Sequence, residues 1–259
     1  IHGFGREAKV ALEEAREKVA QLLGVSSSEI FFTSGGTESD NLAVKGTAFA
    51  NRNKGRHIIT SKIEHHAILE SCKFLEKEGF SVTYLPVDSK GVVVLEDLRK
   101  SLRDDTILVS IMYVNNEVGS IQPMEELSRI VKGKGIYLHT DAVQTLGKIP
   151  IDVRKLNVDM LSMSGHKIYG PKGIGAIYIR KGIRITPWSH GGHHERSRRA
   201  GTENVPGIVG FAKAVELACR ELDDQNRHLK KLTETFYRKL VETVPDVILN
   251  GDLNSRAVD

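Results

Sequence analysis

Hydrophobic and polar positions follow two different periods along this chain. Apolar residues recur at helical spacing over residues 6–23 and again, with one interruption, over 206–244. Between these stretches, short apolar runs predict strands, and helical patterns separate them. The predicted strands are 30–32, 57–60, 81–87, 106–112, 136–139, 159–163 and 176–179. The helices predicted between them are 37–50, 66–78, 95–102 and 124–132.

The alternation of strand and helix from residue 30 to residue 179 predicts an α/β fold. Such a fold contains a mostly parallel sheet with helices on both faces. The nearly unbroken apolar run 106–112 is typical of a strand that is buried on both faces. The long helical pattern after residue 206 leads away from this domain. We therefore predict a large domain over 1–222 and the start of a smaller, incomplete domain over 223–259.

Composition narrows the class of protein. The chain has 259 residues, of which 40% are hydrophobic and 27% are charged, as is ordinary for a soluble globular protein. Its net charge of +4 is mild, and its basic residues are scattered, with few aromatic residues among them. We therefore expect no nucleic-acid partner. We also expect no membrane association, because no apolar run approaches the length of a membrane span and no signal peptide is visible.

The two cysteines, Cys72 and Cys219, are isolated and lack CxxC spacing. They predict neither a disulfide framework nor a zinc site, and they favour a reducing compartment such as the cytoplasm. Both lie in predicted helices, where we expect them to be small buried hydrophobic residues. The chain begins without methionine and ends within a pattern, so we expect it to be a fragment of a longer protein.

Polar and glycine residues crowd directly behind five of the predicted strands. These segments are 33–37, 64–66, 115–117, 141–144 and 164–167. In a parallel sheet the carboxyl ends of the strands share one edge, and ligands bind at that edge. We therefore expect the five segments to form a single site.

The first of these segments, Thr33-Ser34-Gly35-Gly36-Thr37, follows a strand and opens a helix. Free N–H groups at a helix N-terminus bind anions such as phosphate. Residues 37–40 also fit a capping box, so an ordinary glycine turn before a capped helix is the alternative interpretation. The pattern of a Walker loop, GxxxxGK followed by Ser or Thr, is absent.

Three further residues are candidates for chemistry. Lys167 lies between glycine turns behind a buried strand, where desolvation would favour the neutral, nucleophilic amine; a solvated surface lysine is the alternative. Asp141, at the end of a strand, is either a turn residue or a partner for the ring nitrogen of a cofactor. His65 is either a proton shuttle or a hydrogen-bonded histidine without a catalytic role.

The segment 190–196 contains three histidines and a glutamate, which are ligand types that zinc accepts. The HExxH spacing is absent, and the glycines indicate a flexible loop, so we predict no metal site. Arg196, Arg198 and Arg199 are expected to face an anion or a neighbouring subunit.

Six segments, in this order, resemble cysteine desulfurases of the NifS/IscS type, which are class V aminotransferase-like enzymes that use pyridoxal 5'-phosphate (PLP). They are TSGGTESDN (33–41), EHHA (64–67), VNNEVG (114–119), HTDAVQ (139–144), SGHKIYGPKGIG (164–175) and RRAGTENVPGIVG (198–210). The similarity runs from His2 over nearly the whole chain. It implies the three-layer, aspartate aminotransferase-like fold of PLP-dependent transferases.

This resemblance implies PLP as the cofactor and a role for each matching residue. Lys167 would bind the cofactor covalently and take the Cα proton of the substrate. Asp141 would pair with the pyridinium nitrogen, and His65 would stack on the ring and transfer protons. The other implied contacts are Gln144 to the ring hydroxyl, Asn116 to the substrate carboxylate, Gly36, Thr37, Ser164 and His166 to the phosphate, and Thr202 to the phosphate in the opposite subunit of a homodimer.

The implied reaction converts L-cysteine to L-alanine and leaves sulfur as a persulfide on an enzyme cysteine. A sulfur-acceptor protein, such as an iron–sulfur scaffold, would then take the sulfur. The family places its nucleophilic cysteine and its carboxylate-binding arginine in a C-terminal region, and neither Cys72 nor Cys219 matches that cysteine. His193 and His194 also depart from the glycine-rich loop of many relatives. A selenocysteine lyase or another PLP lyase of the same branch, and a truncated PLP-binding module without turnover, therefore stay open.

Overall fold

A seven-stranded sheet lies at the centre of the computed structural model, which describes residues 2–257. Its strands are β1 (Ile30–Thr33), β2 (His57–Ser61), β3 (Ser81–Leu85), β4 (Thr106–Ser110), β5 (Tyr137–Asp141), β6 (Met160–Ser164) and β7 (Gly175–Ile179). The spatial order is β1-β7-β6-β5-β4-β2-β3. Only β7 runs antiparallel to its neighbours in this sheet, so the other six strands share one direction.

Helices cover both faces of the sheet. They are α1 (Gly3–Leu23), α2 (Gly36–Asn51), α3 (His66–Lys77), α4 (Leu95–Ser101), α5 (Met124–Lys132), α6 (Val153–Leu156), α7 (Val205–Arg220) and α8 (Leu222–Thr243). Short 3-10 turns occupy Ser27–Glu29, Gly165–Ile168 and His194–Ser197. The predicted mostly parallel α/β architecture is therefore confirmed.

Two hydrophobic clusters, one on each face, give the molecule its three layers. Successive residues of a strand point to opposite faces, so Ile59 and Val109 pack under α1, α4, α5 and α7. Their neighbours Ile58 and Leu108 pack under α2 and α3. Because both faces are covered, β4 and β6 are buried at every position, which explains their continuous apolar runs.

Most predicted elements agree with the structure, and the differences have local causes. The predicted strand 106–112 ends earlier, at Ser110. The next two residues, Ile111 and Met112, are apolar because they are buried in the loop that follows the strand. The helical pattern 206–244 is divided at Glu221 between α7 and α8, as its one interruption predicted. The four-residue α6 was not predicted.

The predicted domain division falls at the start of α8, which has no buried side chain. Its exposed apolar residues include Leu232 and Phe236. The division into two domains stays a prediction. The terminal residues of the predicted domains, Ile1, Val258 and Asp259, lie outside the described residues. No helix within residues 2–257 is both long and apolar enough to cross a membrane.

A buried ion pair joins the N-terminal helix to a distant loop. Both nitrogens at the tip of Arg16 donate to the carboxylate of Glu195, at 2.7 and 2.9 Å. Arg16 also donates to the Ile30 carbonyl, and the Phe32 N–H donates to Glu195. The two side chains are 4% and 2% exposed, so neither charge has water as an alternative partner.

Replacement of Arg16 by methionine is expected to lower the free energy of unfolding by about 3–5 kcal/mol, because Glu195 would keep a buried charge without a partner. Urea unfolding of both proteins measures this loss. Glu70→Gln is the control, since the Glu70–Lys73 pair is solvent-exposed and its loss should change stability little. Equal losses in the two variants would contradict the prediction.

Candidate active site

The five polar segments converge on one cavity at the carboxyl edge of the sheet. This cavity has a volume of about 330 Å³. It is lined by residues from every segment: Ser34–Glu38 and Asp40, His65, Met112 and Asn116, Asp141, Val143 and Gln144, and Ser164, His166 and Lys167. The five segments therefore meet at one edge of the sheet, as the strand pattern predicted.

Helix α2 begins at this cavity with two glycines. Gly35 has a φ of 151°, a conformation that other residues rarely adopt, and a Cβ atom added to Gly36 would lie 2.6 Å from Cγ2 of Val143. The N-cap is Gly35, and no side chain caps the helix. The predicted capping box over residues 37–40 is therefore wrong: Thr37 already lies in the first turn, and Asp40 is buried instead of reaching back to a cap. The helix N-terminus is left open toward the cavity, as an anion site requires.

The end of β6 brings two polar side chains to the same place. Ser164 is buried, and its Oγ lies 2.8 Å from Nδ1 of His166. A Cβ atom on Gly35 would lie 3.7 Å from the same Oγ, so the serine is next to the start of α2. Gly36, Thr37, Ser164 and His166, all predicted to contact phosphate, are brought together around the cavity.

Asp141 is the last residue of β5, so it lies at the end of a strand as the pattern predicted. Its Oδ1 accepts a hydrogen bond of 2.8 Å from the Val143 N–H, which fixes the carboxylate against the turn. Burial raises the pKa of Asp141 above its ordinary value, and the hydrogen bond from Val143 and the nearby Lys167 offset this only in part. Asp141, His65 and Lys167 line the same cavity.

His65 caps helix α3 through its ring. Nδ1 accepts a hydrogen bond of 3.1 Å from the Ala67 N–H, so Nδ1 is the unprotonated nitrogen in this arrangement. The proton of the neutral ring must then lie on Nε2. Because Nε2 is not used by the cap, it is the nitrogen that can exchange protons on the cavity side.

Lys167 lies in the 3-10 turn Gly165–Ile168, which ends at Tyr169 in a left-handed conformation with φ of 58°. Its side chain is exposed, so the prediction that this lysine is desolvated is wrong for the chain described here. The turn brings Lys167 into the lining of the cavity, together with Asp141 and His65. A second, more apolar cavity of about 640 Å³ lies on the other side of Lys167, between this turn and helices α7 and α8.

Gln144 and Asn116 also line the cavity. The Oε1 atom of Gln144 accepts a hydrogen bond of 2.5 Å from Lys148, which leaves the amide nitrogen of Gln144 as a donor. Asn116 donates to Glu117 at 2.9 Å. Thr202 is exposed and does not line the cavity, so its contact with a phosphate in an opposite subunit stays a prediction.

Two buried acids next to the site were missed by the sequence reasoning. Glu64 accepts hydrogen bonds from the Ser61 hydroxyl and the Met112 N–H. Asp40 lines the cavity, and its Oδ1 is buried without a hydrogen-bond partner. Burial and the charge of Asp141 raise the pKa of both. We call Asp40, Glu64 and Asp141 the carboxyl cluster. In the sequence, the signal that sets Glu64 and Asp40 apart from other acids is their position within the motifs EHHA and TSGGTESDN.

A neutral histidine lies beneath the carboxyl cluster. Burial lowers the pKa of His139 to about 3. Its Nδ1 is 2.9 Å from the Ser110 hydroxyl, and its Nε2 is 2.9 Å from the Ser162 hydroxyl. Ser162 pairs with Asp141 in the β5–β6 register, so this hydrogen-bonded network lies next to the carboxyl cluster.

The histidine-rich loop makes local contacts. His193 lies 3.1 Å from the Ser197 hydroxyl, and His194 lies 4.0 Å from Glu203. Within the described part of the chain, no three His, Cys, Asp or Glu side chains come together as metal ligands would. The anion that Arg199 faces is the carboxylate of Glu38.

The cysteines differ in burial. Cys72 is fully buried, and this burial raises the pKa of its thiol to about 12. Cys219 is half-buried against the core, and burial raises its thiol pKa as well. The expectation of two buried cysteines is therefore confirmed for Cys72 and only in part for Cys219. Because their pKa values are raised, neither thiol ionises readily to a thiolate.

Comparison with known proteins assigns the family. Residues 1–257 match the family model described as aminotransferase class-V, so the chain belongs to the class V aminotransferase family. It is 59% identical to cysteine desulfurase IscS of Dictyoglomus turgidum and 58% identical to that of Methanosarcina thermophila, each over 256 residues. These alignments cover 99% of this chain, but 65% and 63% of the two relatives. The chain thus spans slightly less than two thirds of their length.

Solved structures show the same relationship. A NifS-like protein superposes with a TM-score of 0.96 at 52% identity, over 99% of this chain and 70% of that one. DndA from Streptomyces lividans does so with a TM-score of 0.92 at 39% identity, over 99% and 73%. The structure of SspA in complex with cysteine superposes with a TM-score of 0.81 at 45% identity, over 83% of this chain and 63% of that one. The predicted resemblance and fold class are confirmed.

Replacement of Glu64 by glutamine is expected to change how stability depends on pH. Burial, with the charge of Asp141 adding to it, raises the pKa of Glu64 to about 8, above an ordinary value of 4.5. Between these values the native carboxyl binds a proton that the unfolded one has lost, so wild-type stability falls as pH rises. Relative to Glu64→Gln, the wild type should lose up to about 1.4 kcal/mol per pH unit.

Urea unfolding at pH 5, 6, 7 and 8 measures this slope. Glu38→Gln is the matched control. Burial alone would raise the pKa of Glu38, but hydrogen bonds from Arg199 and Ser34 lower it, so this carboxylate is ionised throughout the range. A stability difference between wild type and Glu64→Gln that does not vary with pH would refute the assignment of a protonated Glu64.

Proposed function

We propose that this chain carries the cofactor site of a PLP-dependent cysteine desulfurase, which converts L-cysteine to L-alanine. The observation that carries the proposal is the meeting of Lys167, Asp141 and His65 at one cavity, next to the open N-terminus of α2. An amine, a buried carboxylate and an imidazole are the groups that carbanion chemistry at an amino-acid Cα needs. The names of the curated relatives point to the same reaction.

The residues present fit PLP. The uncapped start of α2, where Gly36 has no room for a Cβ atom, is a cradle for the phosphate. In the cavity lining, Asp141 presents a carboxylate that Val143 holds in place, suited to a protonated ring nitrogen. The amide nitrogen of Gln144, whose oxygen accepts from Lys148, suits a ring hydroxyl. When bound, the cofactor supplies an electron sink for the substrate carbanion.

The chain's own residues then divide the work. Lys167 would hold the cofactor and take the proton from the substrate Cα. His65 would donate and accept protons through Nε2, because its Nδ1 stays bonded to the Ala67 N–H. Asp141, as a carboxylate, would keep the ring nitrogen protonated. Asn116 binds the substrate carboxylate.

The reaction balances with one thiol as co-substrate. L-cysteine loses its sulfur when the Cβ–S bond breaks, and the thiolate of a second cysteine takes that sulfur to form a persulfide. Protons supplied at the site complete L-alanine. Cys72 and Cys219 are unsuited to this role, since burial raises the thiol pKa of both. The receiving thiol therefore belongs to another cysteine.

The wider setting of the enzyme follows from the same family. We propose a cytoplasmic homodimer in which Thr202 reaches the phosphate of the opposite subunit. Its sulfur passes to an acceptor protein such as an iron–sulfur scaffold. SspA, which resembles this chain, has been solved in complex with cysteine, and this supports cysteine as the substrate.

Lys167→Ala is expected to abolish the visible absorption band that PLP forms when it is bound covalently to a lysine. Purified wild-type chain, incubated with PLP and desalted, should show the band, and the variant should not. Lys172→Ala is the matched control, because this exposed lysine lies five residues away and outside the cavity lining. If the wild type forms no such band, or if the Lys172 variant also loses it, the cofactor assignment fails.

A further inference from the structure

We propose that Arg199 is a positioning residue for the cofactor phosphate, because it neutralises the carboxylate of Glu38 beside the start of α2. The inference rests on the proposed PLP site and deepens it. It concerns an ion pair that lies outside the set of residues expected to contact the cofactor.

Glu38 introduces a charge that opposes the proposed function of its surroundings. It lies in the first turn of α2 and lines the cavity, together with Gly35, Gly36 and Thr37. Its Oε2 accepts a hydrogen bond of 2.8 Å from the Ser34 N–H. An acid in the first turn stabilises the helix by itself. However, an unpaired carboxylate at this position would repel a phosphate dianion bound to the open N–H groups at the start of α2.

Arg199 removes this conflict through two nitrogens. Nε donates to Oε1 of Glu38 at 2.8 Å, and Nη2 donates to Oε2 at 3.4 Å. The side chains are 25% and 15% exposed, so water screens the pair only in part. Burial would raise the pKa of Glu38, but the contacts from Arg199 and Ser34 lower it. The pair is therefore ionised and neutral overall at the pH of the reaction.

The loop that carries Arg199 is held firmly. Glu195, Arg196 and Ser197 have φ values of 44°, 54° and 63°, an unusual left-handed run without glycine. The buried bond from Arg16 to Glu195 holds the first of these residues against β1. Arg199 lies only four residues after Glu195, so the buried Arg16–Glu195 pair restricts where the Arg199 side chain can extend toward α2. One loop thus joins α1 and β1 to the phosphate cradle through two successive ion pairs.

A purely structural role for the pair makes different predictions from a role in charge neutralisation. If Arg199 only holds the loop, its loss should weaken every ligand of the cavity alike. If it neutralises Glu38, its loss should weaken phosphate-bearing ligands alone, and removal of the Glu38 charge should restore them. PLP and pyridoxal differ only in the phosphate, so together they separate the two roles.

The experiment measures dissociation constants of PLP, pyridoxal and inorganic phosphate by fluorescence titration or calorimetry. The proteins are the wild-type chain, Arg199→Gln, Glu38→Gln and the double variant. Arg199→Gln should bind PLP and inorganic phosphate about tenfold more weakly, with unchanged binding of pyridoxal. In the double variant, phosphate affinity should return to within about twofold of that of the Glu38→Gln protein. Arg199→Lys, which keeps the charge, should bind phosphate nearly as well as the wild type.

Equal weakening of PLP and pyridoxal in Arg199→Gln, or no recovery in the double variant, would overturn the inference. Circular dichroism and urea unfolding of each variant identify a folding defect, and if Arg199→Gln does not fold, Arg199→Lys and the double variant decide. If the wild type binds no PLP, the proposed function is wrong. The series with inorganic phosphate then decides this inference by itself.

Discussion

The shared direction of six strands is the constraint on which the site depends. Each strand that ends at the cavity delivers a loop to the same edge, and β7 returns between β1 and β6 without adding a loop there. The close passage of β7 requires Gly175, whose Cβ would lie 2.4 Å from the Met163 carbonyl oxygen and 2.7 Å from Cα of Gly35. This contact sets the start of α2 beside the end of β6. A slip of one residue in β5 would turn Asp141 to the opposite face, and the cavity would lose its carboxylate.

Buried acids and exposed bases meet at the cavity. The carboxyl cluster is buried, next to the neutral His139 network. His65 and Lys167 are exposed. Burial raises the pKa of all three acids, and Asp141 is the member whose pKa the hydrogen bond from Val143 and the charge of Lys167 lower in part.

The sequence allowed the fold and most of the site to be predicted, because both depend on local patterns. Strand and helix periods located every strand, and the polar residues behind them located the cavity. Tertiary features escaped the prediction. The false capping box at Thr37 had the right residue types, but backbone geometry places the cap at Gly35. Glu64 and Asp40 look like ordinary acids in the sequence, and only the tertiary packing of α2 and of the segment after β2 buries them. The pair between Arg16 and Glu195 spans 179 positions, beyond any local pattern.

The exposed position of Lys167 is best understood from the two cavities that it separates. On one side lie the polar groups suited to the ring and phosphate of the cofactor, and on the other lies a larger, more apolar space bounded by α7 and α8. In the proposed chemistry, an amine at this boundary would hold the cofactor in the first space. The charge of Lys167 also lowers the pKa of Asp141, so the amine and the carboxylate influence each other across that space. The proposed chemistry therefore needs Lys167 and Asp141 on the same cavity, and both line it.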